Sequence, residues 1–306
     1  MRSISVIILL FLIAGCNKET INFTEKAFTA YPMEKKEEKV LLKKNVEKIK
    51  RWNSIPSSID GKLVQDLKEE LYLRKERVLN QEYNQSKEFG EYVAGVKTRM
   101  KTSDKVIALT LDACGGEFGS GYDHELMNFL IANKIKANLF INARWIDAQH
   151  DKFLALADNP IFRINNHGTE HRPLSTVPRS AWGINSTSTK EEIVTEITDN
   201  QEKIGELTGK LPRFFRSGTA FYDEVAVKIA EDLGVEVVNF DVIGDGGATF
   251  SRPQVVESML KSRAGSIIIL HMNQPSSETA DGVKEAIAVL LEQGYSFVHL
   301  DEYELE

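Results

Sequence analysis

The chain has 306 residues, 42% hydrophobic and 27% charged, with a formal net charge of -7. That length buries a sizeable core and holds one large domain plus an extra segment. An acidic chain without a basic block has no electrostatic footprint for nucleic acid, which excludes that class of partner.

The first stretch is a targeting segment rather than part of the fold. Arg2 supplies a small positive region, residues 4–13 are apolar apart from Ser5, and Ala14-Gly15 place small residues before Cys16. The apolar run is shorter than the about 20 residues a membrane span needs. Residues 1–15 therefore read as a secretory signal. Ile13-Ala14-Gly15-Cys16 resembles a bacterial lipobox, which implies that Cys16 is lipidated and becomes the mature N-terminus. Each buried CH₂ of such a lipid contributes roughly 0.8 kcal/mol. The expectation is an extracytoplasmic, membrane-anchored lipoprotein. The chain's other cysteine is Cys114, so lipidation of Cys16 leaves no intrachain disulfide.

Residues 16–33 are polar and aperiodic and read as a flexible tether. Residues 34–104 shift to Lys, Glu, Gln and Leu, a charged helical extension. Leu42, Val46 and Ile49 fall at helical spacing, as do Leu63, Leu67 and Leu71, with Pro56 between the two runs. Residues 58–60 offer caps for the second run. The stripes are expected to pack on each other or on the main domain.

From residue 105 to 306 strands and helices alternate. Strands are expected at 106–111, 137–141, 161–164, 214–215, 235–240, 266–270 and 296–300. Helices are expected at 123–135 and 147–157, then from a capping box at Thr189-Lys190-Glu191-Glu192. That helix turns Ile193, Ile197 and Ile204 inward. Further helices follow at 223–233, from Pro253 to about 262, and at 279–293; Gly234 and Gly294 close two of them. Seven β-then-α units argue for a parallel sheet, open or closed into a barrel. Either form gathers its site at the C-terminal ends of the strands.

Those ends carry the titratable residues. Strand one ends at Asp112, three at His167, four at Arg216, five at Asp241 and six at His271. In Asn166-His167-Gly168-Thr169-Glu170-His171-Arg172-Pro173, Gly168 and Pro173 argue for a tight turn that aims both imidazoles at one Zn²⁺-like ion. A bare pair of histidines four apart is a weak signal and also describes two surface residues; its place on the rim strengthens it. Two histidines, an acid oxygen and an open position make a hydrolytic zinc site. Asp112 is placed to take a proton from water, Arg216 to hold Asp112 ionised, and His271 to protonate a leaving amine.

These residues also carry a family resemblance. From about residue 105 onward the chain resembles the NodB-homology polysaccharide deacetylases, carbohydrate esterase family 4, whose fold is a distorted, usually seven-stranded (β/α) barrel. Thr110-Leu111-Asp112 resembles the first motif, with Asp112 as base. Asn166 to Leu174 resembles the second, with His167 and His171 on a divalent metal. Phe215-Arg216-Ser217-Gly218 resembles the third, with Arg216 orienting the base. Phe240-Asp241-Val242 falls at the fourth, and Gly265 to His271 resembles the fifth, with His271 as acid.

Two departures stand out. The family's second Asp, a metal ligand, is Ala113 here, and the third motif lacks its usual Pro-Tyr. Asp112, Asp123 and Cys114 are the candidates for the missing ligand. An exposed thiolate is open to oxidation, so the carboxylates are preferred, and Asp123 joins His167 and His171 in the expected set. The implied activity is metal-dependent removal of N-acetyl groups from a cell-wall or extracellular polysaccharide. A glycan-binding lipoprotein without activity and a hydrolase of other amides or esters are the alternatives.

Overall fold

The computed structural model describes residues 59–306. The signal, Cys16, the tether and the first amphipathic run lie outside the described residues.

The first described helix, α1 (Gly61–Asn80), is capped by Asp60, whose carboxylate accepts the Lys62 N–H at 2.9 Å. Its buried residues, Val64, Leu71 and Val78, fall seven apart, which is one narrow stripe on a helix. Leu63, expected inward, is exposed. The stripe packs on α5 (Lys190–Thr208), where Lys68 also pairs with Glu202 and Glu206. The described residues fall in one compact unit that includes this helix.

The sheet is built around β1 (Val106–Ala113), every residue of which is buried. Around it lie β2 (Ala137–Ile141), β3 (Phe162–Asn166), β6 (Phe214–Phe215), β7 (Glu236–Val237), β8 (Val242–Ile243) and β9 (Ser266–His271). The order is β7-β6-β3-β2-β1-β9-β8, all parallel, and β10 (Ser296–Phe297) also pairs with β1. The expected strand 235–240 is divided. Its start pairs with β6, the chain crosses over, and β8 pairs with β9. One run thus joins the two ends of the sheet and curls it into a distorted barrel, with Lys97 bridging to Val238 and Arg99 to Ser266 across the gap. Counted by chain run, these are the seven expected strands of an α/β barrel.

Side chains alternate along a strand. Ile107, Leu109, Leu111 and Ala113 point to the helices, packing with Leu126, Met127 and Leu130 of α2 (His124–Ala132) and with Val283, Ala286 and Leu290 of α8 (Thr279–Glu292). Ala108 belongs to the inner cluster with Phe140, Phe214, Val238, Phe240 and Ile267. Thr110 and Asp112 share that inner parity. The helix expected at 147–157 is two, α3 (Ala143–Ala148) and α4 (His150–Ala157), meeting at Gln149. A small hairpin, β4 (Ser180–Ala181) and β5 (Ile184–Asn185), was not expected. Its strands are too short to show a period, and its turn, Trp182-Gly183, has positive φ at both residues.

Candidate active site

Asp112 is the last inward residue of β1, and Arg216 follows β6. Arg216 is fully buried, and its guanidinium is spent on named acceptors. Nη1 donates to Asp112 Oδ1 at 2.7 Å and to Thr110 Oγ1 at 2.9 Å. Nε and Nη2 donate to the carbonyls of Val238 and Asn239, each at 3.0 Å. The planar group also lies over the Phe140 ring, 4.2 Å from its centroid. A buried charge is tolerated only when paired and hydrogen-bonded, and here both conditions hold. Asp112 therefore presents one oxygen to Arg216 and keeps Oδ2 free of it, 3.6 Å from His167 Nε2.

Across the rim, His271 ends β9. Its Nδ1 donates to Asp245 Oδ1 at 2.9 Å, and its backbone N–H donates to Asp245 Oδ2 at 2.7 Å. Burial disfavours the imidazolium, but the fully buried Asp245 carboxylate outweighs it and holds the His271 pKa well above the usual value. Asp245, rather than the Asp241 expected at the end of strand five, is the aspartate beside His271 on the rim. Asp241 does not reach the rim: it pairs with Arg99, and accepts from Ser266 Oγ and Ile267 N at the opposite end of β9. The cause is the crossover between β7 and β8, which sets Asp241 at the foot of β8 and carries Asp245 past its top.

The histidine pair is brought together by a tight loop. The rings of His167 and His171 meet edge to face with centroids 4.9 Å apart, and His171 has φ 64°. Gly218 makes the approach possible, because a Cβ there would lie 2.3 Å from atoms of His171. The loop hangs from α5 and the start of α3. Asn166 Nδ2 donates to Gln201 Oε1 and to the Ile197 carbonyl, and Asn142 Nδ2 donates to the carbonyls of His167 and Gly168. Glu196, almost fully buried, accepts the backbone N–H groups of Glu170 and Arg172. Burial pushes its carboxyl up to about 7 against the pull of those donors.

His167 Nδ1 gives its hydrogen to the Arg216 carbonyl at 2.9 Å, since a carbonyl can only accept. In the neutral ring Nε2 then carries the lone pair, the state in which imidazole binds a metal. Cys114 Sγ lies 3.9 Å from it, and donor atoms of Cys114, His167 and His171 all fall within 4.8 Å of one another. His171 Nε2 is buried with no protein partner, a further fit to an ion at this point. Asp123, the carboxylate expected beside the histidines, does not join this cluster. It is the N-cap of α2, and its Oδ1 accepts the Leu126 N–H at 2.9 Å. Burial opposes ionisation of the Cys114 thiol, yet the surrounding His171, His167 and His271 hold it well below its usual value.

A cleft of about 430 Å³ is lined by Asp112 and His271, with Trp182, Phe240 and Phe250 also in its lining. The histidine cluster adjoins it through Asp112, whose Oδ2 lies 3.6 Å from His167 Nε2, so base, acid and a cation-binding cluster are close enough to hydrolyse an amide whose flank is a ring. Asp245, Glu196 and Asn142 escaped the sequence reading. The signal for Glu196 was present: with Asn200 and Lys203 it forms a polar stripe at helical spacing on the face that also buries Ile193 and Ile204.

Comparisons with known proteins agree with this geometry. Residues 99–238 match the polysaccharide deacetylase family model. The peptidoglycan-N-acetylmuramic acid deacetylase PdaA of Bacillus subtilis (strain 168) is 22% identical over 213 residues, covering 67% of this chain and 73% of that protein. The solved structure of Bacillus subtilis PdaA, a family 4 carbohydrate esterase, superposes with a TM-score of 0.56 at 22% identity, covering 71% of this chain and 95% of that one. A family 4 pseudoenzyme from Bacillus anthracis, BA3943, superposes with a TM-score of 0.57 at 22% identity, covering 67% of each chain. One mutant of that protein is described as having restored enzymatic activity. Residues 99–238 are thus similar to the polysaccharide deacetylase family, and the fold is one shared with family 4 carbohydrate esterases.

Proposed function

We propose that this protein is a metal-dependent hydrolase that removes N-acetyl groups from sugars of a cell-wall or extracellular polysaccharide, with Zn²⁺ as the expected ion. The observation that carries the reading is the facing pair on one cleft: Asp112 clamped by Arg216, and His271 clamped by Asp245. A bound divalent cation at Cys114, His167 and His171 would polarise the acetamide carbonyl and acidify water. Asp112 accepts the proton of the attacking water on Oδ2, the oxygen that Arg216 leaves free. Arg216 pairs with that carboxylate and fixes its plane. His271, kept protonated by Asp245, passes a proton to the departing nitrogen so that it leaves as a neutral amine. The products are acetate and an amino sugar. Phe240, Phe250 and Trp182 offer apolar faces to the sugar rings on either side.

Cys16 is proposed to carry the lipid that holds the enzyme at a membrane outside the cytoplasm, a placement suited to a large, immobile substrate. A Cys16→Ser chain should leave the membrane fraction. Acetate release from N-acetylated glycan, compared with release from small amides and esters, tests the substrate class. Equal turnover of small amides would widen the reading to a general amide hydrolase.

A second reading has one observation in its favour. Ala113 stands where the family has a metal-binding Asp, and the fold is shared with a pseudoenzyme. On that reading the rim holds a glycan without turning it over. Glycan binding by the metal-loaded protein, with no acetate released, would select it.

A further inference from the structure

We infer that Cys114, as the thiolate, is the third protein ligand of the metal, in place of the carboxylate that Ala113 removes. The inference rests on the deacetylase reading for the identity of the site, but not on turnover.

Strand parity is the first argument. Ala113 points outward, into the apolar layer between β1 and the helices. The next side chain returns to the inner side that Asp112 occupies, and there Cys114 meets the histidines. Distance is the second argument. A tetrahedral zinc with Zn–S of about 2.3 Å and Zn–N of about 2.0–2.1 Å sets sulfur and nitrogen roughly 3.6 Å apart. Cys114 Sγ and His167 Nε2 stand 3.9 Å apart, and the His171 donor completes the set within 4.8 Å.

The third argument is what the other groups are doing. Asp112 gives Oδ1 to Arg216 and is not among the residues whose donor atoms cluster. Asp123 caps α2 through Oδ1 and is not among the residues whose donor atoms cluster with the histidines. His167 is held in the ligating tautomer by the Arg216 carbonyl, an outer-shell contact typical of metal-bound imidazole. Among the described residues His171 Nε2 is buried without a hydrogen-bond partner, which leaves it open to an ion. A sulfur, nitrogen, nitrogen set selects zinc-like ions over magnesium and calcium, which prefer oxygen. It also leaves Asp112 Oδ2 for proton transfer.

The test uses the full chain, purified reduced and loaded with cobalt(II) or zinc. Wild type should show the intense sulfur-to-cobalt charge-transfer absorption of the near ultraviolet. Cys114→Ser and Cys114→Ala should lose it, and Cys114→Ala should bind zinc at least ~100-fold more weakly, beyond the loss from removing an outer-shell partner. Asp123→Asn should keep both the band and the affinity. Circular dichroism reports whether each variant is folded. X-ray absorption on the zinc-loaded wild type reads the ligand without any variant, with a sulfur scatterer expected at about 2.3 Å. Cobalt or zinc bound with no sulfur signature, unchanged affinity in folded Cys114→Ala, or no metal bound at all would each overturn the inference. A sulfur signature in a protein that releases no acetate would sustain it while sinking the deacetylase reading.

Discussion

The two halves of the rim are anchored by different means. The proton-transfer half is made of ion pairs set on the barrel wall: Asp112 and Arg216 join β1 to the end of β6, and His271 and Asp245 join β9 to the end of β8. The cation-binding half rides on a loop, residues 166–173, that hangs from the buried polar residues of α5. The difference explains how Ala113 can stand beside Asp112 without disturbing it. Asp112 faces inward to Arg216, whereas Ala113 faces the helices. Ligand type can change on one half while base and acid persist on the other.

The largest expected effect breaks the proton-transfer half. Asp112→Asn keeps the shape of the acceptor and removes its basicity, so kcat should fall by about 10²–10⁴, the span of general acid–base catalysis. Metal content should stay at the wild-type level. A fall in metal content as well would mean that the two halves are not separable.

Breaking the support of the other half gives a stability effect. The Glu196 pKa is raised from 4.5 to about 7 in the folded protein. Between those values the folded chain holds a proton that the unfolded chain has lost, so stability falls as pH rises through this window and levels off above it. The full shift corresponds to roughly 3 kcal/mol. Urea titrations of metal-free protein at several pH values should show this loss, and Glu196→Gln should flatten it. A slope that survives in Glu196→Gln would assign it to another group.

The next effect sharpens the role of Asp245. Because Asp245 raises the His271 pKa, the alkaline limb of the activity profile should reflect His271 losing its proton. Asp245→Asn should move that alkaline limb to lower pH and cost about 10- to 100-fold at high pH. An unmoved limb would separate His271 from it. The smallest effect concerns the cleft wall. Trp182→Ala should raise KM for polymer by about two- to tenfold, from a stacking energy of about 0.5–1.5 kcal/mol, with kcat on a small amide unchanged.

What could be read from the chain alone follows the same division. Runs such as Val106–Ala113 and Ser266–His271 are apolar because both faces of their strands are covered, so their positions and ends were legible, and with them Asp112 and His271. Asp245 was not, because a crossover inside one apparent strand decides which aspartate reaches the rim. The choice between Asp123 and Cys114 was equally closed to sequence. A cap aspartate and a metal ligand look alike until the Leu126 N–H is seen to take the carboxylate. The polar stripe of Glu196, Asn200 and Lys203 was legible, but not the histidine loop whose N–H groups Glu196 accepts.

Acetate release from N-acetylated glycan, measured for zinc-loaded wild type beside Asp112→Asn, tests the account most directly. The account predicts release by the wild type and a loss of at least ~100-fold in the variant. No release by the folded, metal-loaded wild type, or equal release by both proteins, would contradict it.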